Sequence, residues 1–335
     1  MESGNYDEMG ETEMKEEIRS TVIIPNYNGI RFLKACLDSL KEEPAHILLV
    51  DNGSTDGSTD FVRTQYPEVE LLSLEKNYGF CGAVNRGIEH SKTTYVILLN
   101  NDTQVQSGFV RALEHALDRD ERVFSGSAQM RNLQKPEWID DTGDYYCALG
   151  WAFTLGKDKS IENYQQARTI FAACGGASVF RRSLLKETGL LDENHFAYLE
   201  DIDLGYRARI AGYRNVYVPE AVVFHAGSGT TGTRHNKFKV DLSSRNNVYL
   251  VYKNMPWFQI LLNLPFLLLG YLVKTLFFAR KGLAGAYVKG LGKGIRLSLS
   301  EKGRANKVTF RWRNLPHYGR IQLELWRNLL YRIRA

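Results

Sequence analysis

The sequence predicts an α/β protein: a mostly parallel, Rossmann-like sheet with helices on both faces, then a helical, membrane-associating C-terminal region. Three observations predict it. Short apolar runs of strand length alternate with runs of helix length from residue 20 to about residue 118. The apolar runs are continuous, as strands covered on both faces are. From residue 256 the chain changes to an uncharged apolar stretch followed by a basic tail.

Residues 1–19 are acidic and lack the apolar centre of a secretory signal, so they read as a disordered leader. STVIIP (20–25) and AHILLV (45–50) read as buried strands. Between them GIRFLKACLDSLKEE sets Ile30, Leu33, Leu37 and Leu40 at helical spacing. VELLSL (69–74) and TYVILL (94–99) are the next strands, preceded by the helix candidates DGSTDFVRTQY and GFCGAVNRGIEHS respectively. SGFVRALEHALDRDE follows as an amphipathic helix. Residues 131–168 lose the pattern and read as irregular loops. GASVFRR returns to strand, EDIDLGYRARIAGY to helix, and RNVYVPEAVVFH reads as two short strands broken at Pro219. The expected division is a leader at 1–19, a sheet domain at 20–250 and an apolar segment with a basic tail at 251–335.

The net charge of +5 joins an acidic body to a basic end. Residues 274–335 hold 15 Lys and Arg against two acidic residues, Glu301 and Glu324. PWFQILLNLPFLLLGYLV (256–273) carries no charge over 18 residues, the lower length limit for a membrane span, but Pro265 and Asn263 interrupt it. A true span with the body inside would put the basic tail outside, against the positive-inside bias. A segment lying in the cytoplasmic leaflet, with the tail on anionic headgroups, meets both constraints. A buried core helix is the alternative. The expectation is a cytoplasmic protein, peripheral or monotopic on the inner face of the plasma membrane, with an anionic membrane surface as partner and no nucleic acid. Cys36, Cys81, Cys147 and Cys174 show no metal or CxxC spacing and read as reduced thiols.

In a parallel sheet, ligands bind beyond the carboxyl ends of the strands. Three such ends are polar: Pro25-Asn26-Tyr27-Asn28-Gly29, Asp51 in VDNGSTDGS, and Asn100-Asn101-Asp102. Turn residues follow any strand, and Asp51 alone could cap its own turn. Three together point to a ligand. A dinucleotide-binding dehydrogenase would need GxGxxG in the first turn, and NYNGIR has one glycine. A carboxylate flanked by amides suits a hard divalent cation shared with substrate phosphates. In YLEDIDLGYR, Glu200, Asp201 and Asp203 occupy a first helical turn, where the helix dipole alone favours acids. Adjacent acids diverge, however, so one can face a pocket as a general base. His225 ends the apolar AVVFH, before the Gly- and Thr-rich AGSGTTGTRH that could close over a ligand; alone, such a histidine is as readily structural.

In this order VIIPNYNG, VDNGSTDGS, NYGFCGAVNRGI, LLNNDT, GGASVFRRSLLKETGLLDE, YLEDIDLGYRARIAGY and PEAVVFHAGSGT resemble family 2 of the inverting glycosyltransferases, which have the GT-A fold. The resemblance covers about residues 20 to 230 and is greatest to the rhamnosyltransferase branch of cell-envelope polysaccharide assembly. It implies transfer of a sugar, rhamnose first among them, from a dTDP- or UDP-sugar to a hydroxyl of a saccharide acceptor held on a lipid diphosphate. By position it assigns Pro25, Tyr27 and Asp51 to the nucleotide, with Asn77 and Gly79 lining the same pocket. Asn101-Asp102 falls on the family's DXD motif for metal and diphosphate. Asn100 replaces the first acid, so Mg²⁺ or Mn²⁺ rests on Asp102 and on His225, a position the family sometimes uses. Asp201 falls on the catalytic base. Beside the resemblance, Glu200 is expected to orient the loop or contact the acceptor, and basic residues near the Gly- and Thr-rich stretch, such as Arg234, Lys237 or Arg245, to assist the leaving diphosphate. VTFRW (308–312) has Val308 where processive members carry the Gln of QxxRW, which points to a non-processive enzyme. A sugar-nucleotide-forming nucleotidyltransferase would need a Gly-rich basic loop after the first strand, which PNYNGIR lacks. A non-catalytic, membrane-bound carbohydrate-binding protein is the other alternative.

Overall fold

The computed structural model describes residues 17–227 and 236–334. The leader up to residue 16 and the end of the Gly- and Thr-rich stretch, with Arg234, lie outside the described residues. β1 (Ser20–Asn26), α1 (Ile30–Leu40), β2 (Ala45–Asp51), α2 (Ser58–Gln65), β3 (Glu70–Ser73), α3 (Gly79–His90) and β4 (Tyr95–Leu99) make a wholly parallel half-sheet in the order β3-β2-β1-β4. Alternate residues of each strand enter opposite layers. Val22, Ile24, Ile97 and Leu99 pack with Leu33 and Leu37 of α1, while Ile23, Val96 and Leu98 pack with Val84 and Ile88 of α3. Each such side chain contributes about 1.5–3 kcal/mol when fully buried, which is why these strands are apolar on both faces.

The second half comprises β5 (Thr103–Val105), α4 (Phe109–Asp118), β6 (Val123–Asn132), β7 (Ile139–Asp141), β8 (Asp144–Cys147), β9 (Trp151–Thr154), β10 (Arg168–Ile170), β11 (Ala177–Arg181), α5 (Arg182–Thr188), α6 (Glu200–Ile210) and β12 (Arg214–His225). Beyond β4 the sheet continues β11-β6-β12-β10, with β11 antiparallel to both its neighbours and β12 parallel to β6. Two sequence expectations change here. Residues 131–168 are not simply loops: β7 extends β6, β8 and β9 form a hairpin, and β10 covers an edge. Strands of three or four residues are too short to show a period of two. Nor does Pro219 break β12, which runs unbroken from Arg214 to His225. Val218 pairs with Ala128 and Val222 with Gln129, so the intervening residues bulge outward and the proline's missing N–H costs no ladder bond.

α7 (Lys237–Asn254), α8 (Trp257–Arg280), α9 (Ala284–Leu299), α10 (Glu301–Ala305) and α11 (Leu315–Arg334) complete the chain. Leu250 of α7, Leu267 of α8 and Tyr318, Ile321 and Leu325 of α11 share a core with Tyr146, Phe171, Ile202 and Tyr206 of the sheet body. α8 is long and apolar enough to cross a membrane by length and composition. It nevertheless turns one stripe inward, comprising Gln259, Asn263, Leu267, Gly270 and Phe278. Asn263 and Gln322 exchange amide hydrogen bonds of 2.7 and 2.9 Å between α8 and α11. Gly270 lies so close to the body that a Cβ there would meet the Leu149 carbonyl oxygen at 2.1 Å.

A buried ion cluster joins α7 to α6. Lys253, 4% exposed, donates to Asp192 Oδ2 and Asp203 Oδ2, both at 2.8 Å, and Asn254 donates to Asp203 Oδ1 at 2.8 Å. Burial opposes ionisation of Asp203, but Lys253 and Arg207 outweigh it and hold that carboxyl well below its usual range. Removing the ammonium strands two buried carboxylates. Lys253→Met should therefore lower unfolding stability by about 3–5 kcal/mol in urea titration, where a neutral result would show the cluster to be solvated.

Candidate active site

The ends of β1, β2 and β4 are tied together by side chains. Asn101 Nδ2 donates to Asn26 Oδ1 at 2.6 Å, and Asn26 Nδ2 donates to Asp51 Oδ1 at 3.0 Å. Asp51 also accepts from Ser54 N at 3.0 Å. The chain turns beneath them at Gly29, where a Cβ would meet Asn101 Nδ2 at 2.1 Å. Above this lattice opens a cleft of about 840 Å³ lined by Pro25, Tyr27, Asn77, Gly79, Asn101 and Asp102 among others. Asp51, 2% exposed, sits under the cleft and does not line it. Asn52 shapes the far wall by donating to Asn77 Oδ1 and Gly79 O at 3.0 and 3.1 Å. Gly79 has φ +78°, and a side chain there would strike Phe196 at 2.4 Å.

β12 carries His225 to the Asn-Asn-Asp turn by pairing with Thr103, and Ala226 N donates to Asp102 O at 3.0 Å. His225 Nε2 lies 3.3 Å from Asp102 Oδ1, and Nδ1 lies 2.7 Å from Asp140 Oδ2. Burial disfavours the imidazolium, but hydrogen bonds to the two carboxylates prevail and raise His225 to about 9. Asp140 is opposed by burial in turn, and His225 and Lys157 bring it down to about 2. A carboxylate on the far ring nitrogen is the arrangement that orients a metal-ligating histidine. Asp102, with His225 once its Nε2 exchanges its proton for the metal, thus fits a divalent cation that also takes phosphate oxygens.

Across the same cleft lie Glu200 and Asp201. Asp201, Asp144 and Cys174 bring their donor atoms within 4.8 Å of one another. Burial pushes the Cys174 thiol up, so it offers no thiolate, and a hard cation does not favour sulfur. The two acids hydrogen-bond to each other instead. Burial and the neighbouring Asp201 charge push Asp144 well above its usual range. Burial raises Asp201 less, because the Ile202 N–H and the Asp144 proton hydrogen-bond to its charged form. Both carboxyls thus lie above the usual carboxylate range, held there by burial, and Asp201 alone also accepts from a backbone N–H, that of Ile202. Burial raises Asp141 to about 7 and Glu200 to about 8, and Glu200 Oε2 has no hydrogen-bond partner among the described residues.

The turn that presents these acids is strained: Phe196 (φ 63°), Tyr198 (φ 70°) and Leu199 (φ 67°) all adopt positive φ without being glycine. α7 holds it. Asn246 Nδ2 lies 2.8–2.9 Å from the carbonyl oxygens of His195, Ala197 and Tyr198, and Arg245 donates to Asn194 O and His195 O. Arg245 thus serves the turn rather than a diphosphate, and Lys237 is exposed at the start of α7. Asp140, Asp141, Asp144, Lys157 and Asn246 escaped the sequence reading. The one available signal was the run IDDTGD, three acids within five residues.

A half-parallel sheet with an acidic cleft beyond its strand ends is the GT-A glycosyltransferase architecture. The crystal structure of S. aureus TarS 1–349 in complex with UDP-GlcNAc shares the fold at a TM-score of 0.56 and 16% identity, covering 86% of this chain and 83% of that one. GalNAc-T7 with UDP, GalNAc and Mn²⁺ shares it at 0.57 and 17%, covering 71% and 48%. Residues 21–189 match the family model Glycosyl transferase family 2, and the chain belongs to that family. It is 30% identical over 254 residues to the N-acetylglucosaminyl-diphospho-decaprenol L-rhamnosyltransferase of Mycobacterium tuberculosis, covering 68% of this chain and 81% of the relative. It is 22% identical over 226 residues to a poly-beta-1,6-N-acetyl-D-glucosamine synthase of Staphylococcus aureus, covering 62% and 52%. The protein is a glycosyltransferase, which sets aside the nucleotidyltransferase and the non-catalytic binding protein.

The buried Glu200 carries a stability consequence. Its folded pKa of about 8 exceeds the unfolded value of 4.5, so the folded state binds more protons between these limits. Stability contributed below pH 4.5 is lost as pH rises through about 8. Glu200→Gln has no proton to lose there. Its stability relative to wild type should increase across that window in urea titrations, and a constant difference would show Glu200 already ionised in the fold.

Proposed function

We propose that this glycosyltransferase acts by inversion and without processivity, moving a sugar from a dTDP- or UDP-sugar to a saccharide carried on a lipid diphosphate. Rhamnose is the favoured sugar, supported by the name of the mycobacterial relative. The observation that carries the reading is one cleft with an ionisable Asp201 on one wall and the Asp102–His225 pair on the other. Asp201 takes the proton of the acceptor hydroxyl as its oxygen attacks the anomeric carbon. The bond to the diphosphate breaks on the opposite face. Mg²⁺ or Mn²⁺ on Asp102 and His225 would stabilise the charge gathering on the leaving diphosphate. Pro25, Tyr27, Asn77 and Gly79 receive the nucleotide; Asp51 and Asn101 hold the strand ends beneath it. Glu200 shapes the acceptor side of the turn.

Nucleoside-diphosphate release from a panel of donors tests this reading. Asp201→Asn should bind donor normally yet lose ~10²–10⁴ in transfer rate. Near-normal turnover in that variant, with Glu200→Gln inactive, would move the base to Glu200. Exhaustive chelation should abolish transfer, and Asp102→Ala should lose metal-dependent donor binding. Activity that persists without metal would remove the cation from the mechanism.

The same reading places the protein on the cytoplasmic membrane surface. α8 exposes Leu261, Leu264, Leu268, Leu272 and Leu276 while its inner stripe packs on the body. Full insertion would strip Gln259 and Asn263 of their protein partners, so the helix lies half-sunk in one leaflet. Nearby Lys and Arg each add about 1 kcal/mol on anionic lipid. The protein should sediment with phosphatidylglycerol vesicles, be released by alkaline carbonate, and bind weakly as Leu268→Glu/Leu272→Glu. Retention through alkaline extraction would instead mean a span, and indifference to vesicles would end the idea.

A further inference from the structure

A second cavity, of about 330 Å³, lies on the other side of the catalytic turn. Tyr198, Glu200 and Asp201 line both it and the larger cleft, so a molecule in either space reaches the same acids. The remaining wall comes from Asp144 of β8, Ala152 of β9 and the helices α7, α8 and α9, which supply Ser243, Asn247, Lys274 and Tyr287. These are the helices that the sheet itself does not require.

Three features of this cavity ask for a ligand of particular chemistry. Asn247 is 5% exposed; its Nδ2 donates to Gly150 O at 2.5 Å, but its Oδ1 faces no donor. Glu200, 7% exposed, likewise leaves Oε2 without a partner. A buried polar oxygen without a partner is costly, and a ligand hydroxyl, which both donates and accepts, would satisfy either one. Lys274 is the first charged residue after the apolar stretch and, among the described residues, forms no ion pair; its ammonium lies 5.6 Å from the centre of the Trp151 ring. Burial pulls it down to about 8, the expected state of a desolvated ammonium without a counter-anion. Its neighbours along α8, Leu268, Leu272 and Val273, face outward and are exposed. Hydroxyls inside, an anion at the rim and an alkyl chain along α8 describe one molecule.

We propose that this cavity is the acceptor site, in which Asn247 Oδ1 accepts from a saccharide hydroxyl and Lys274 binds the diphosphate joining that saccharide to its lipid. The assignment rests on the transfer reaction proposed above. It explains how two anionic substrates approach one pair of acids without sharing a binding site: the donor diphosphate meets Asp102 and His225, and the acceptor diphosphate meets Lys274. It also gives α8 a purpose beyond attachment, since the helix that contacts lipid supplies the cation that reads the lipid's headgroup.

The test is binding to the full chain, without donor, of two probes of equal short alkyl length. One is N-acetylglucosamine on an alkyl diphosphate; the other is the neutral alkyl N-acetylglucosaminide. Wild type should prefer the diphosphate probe by ~10-fold or more, as a charged hydrogen bond of this kind allows. Lys274→Gln should lose that preference and Lys274→Arg keep most of it. Ser243→Phe, which fills the cavity, should weaken both probes while uridine diphosphate titration confirms a folded donor cleft. Equal preference in wild type and Lys274→Gln overturns the assignment, as does unaltered binding in Ser243→Phe. Nucleoside-diphosphate release by wild type scores the transfer reading separately. Its failure, with probe discrimination intact, would remove that reading and leave the cavity standing.

Discussion

The amide of Asn246 governs the site. It reaches three carbonyls of a turn in which Phe196, Tyr198 and Leu199 all hold positive φ. Each such residue costs on the order of 1–3 kcal/mol, so this turn persists only because its surroundings over-determine it. The strain has a use. It turns the chain sharply enough to begin α6 with Glu200 and Asp201 at the cleft, facing strand ends that belong to the opposite half of the sheet. Because Asn246 sits on α7, and α7 is tied to α6 by Lys253, the geometry of the acids depends on a helix outside the sheet.

Electrostatics explain why so acidic a cleft can receive an anionic donor. Asp102, Asp140, Asp141, Glu200 and Asp201 all line it. Were all ionised, a diphosphate would be repelled. Burial instead pushes Asp141, Glu200, Asp144 and Asp201 above the usual carboxylate range, and Asp140 is neutralised by Lys157 and His225. The same low dielectric strengthens every charge interaction made inside the cleft.

The C-terminal helices belong to this arrangement as much as to any membrane. α8 presents amides and a close-packed glycine to the body and leucines to the outside, so its composition reads as a span while its inner stripe reads as an interface. A helix with one polar, tightly seated stripe cannot be surrounded by lipid without losing those contacts. The outward leucines and the catalytic surface are therefore held in fixed relation.

The sequence by itself determined the parallel half of the sheet, because strands buried on both faces must be continuously apolar, and Val22 to Ile24 and Val96 to Leu99 are. It also determined the polar strand ends, since Asn26, Asp51 and Asn101 sit where an apolar run stops, and the acidic start of α6. The 3.3 Å approach of His225 to Asp102 could not be read from residues 123 positions apart. Nor could the roles of Asp140 and Asp144, which lie in strands of three and four residues where no period can form. α7 was hidden for a different reason: beside Leu250 and Val251 its buried face includes Ser244, Asn246, Asn247 and Lys253, polar groups that hydrophobic patterning assigns to solvent. Only the tertiary structure decided that they face inward, because a buried polar residue is stable only where a distant backbone supplies its partner, and no local run of sequence records which backbone that is.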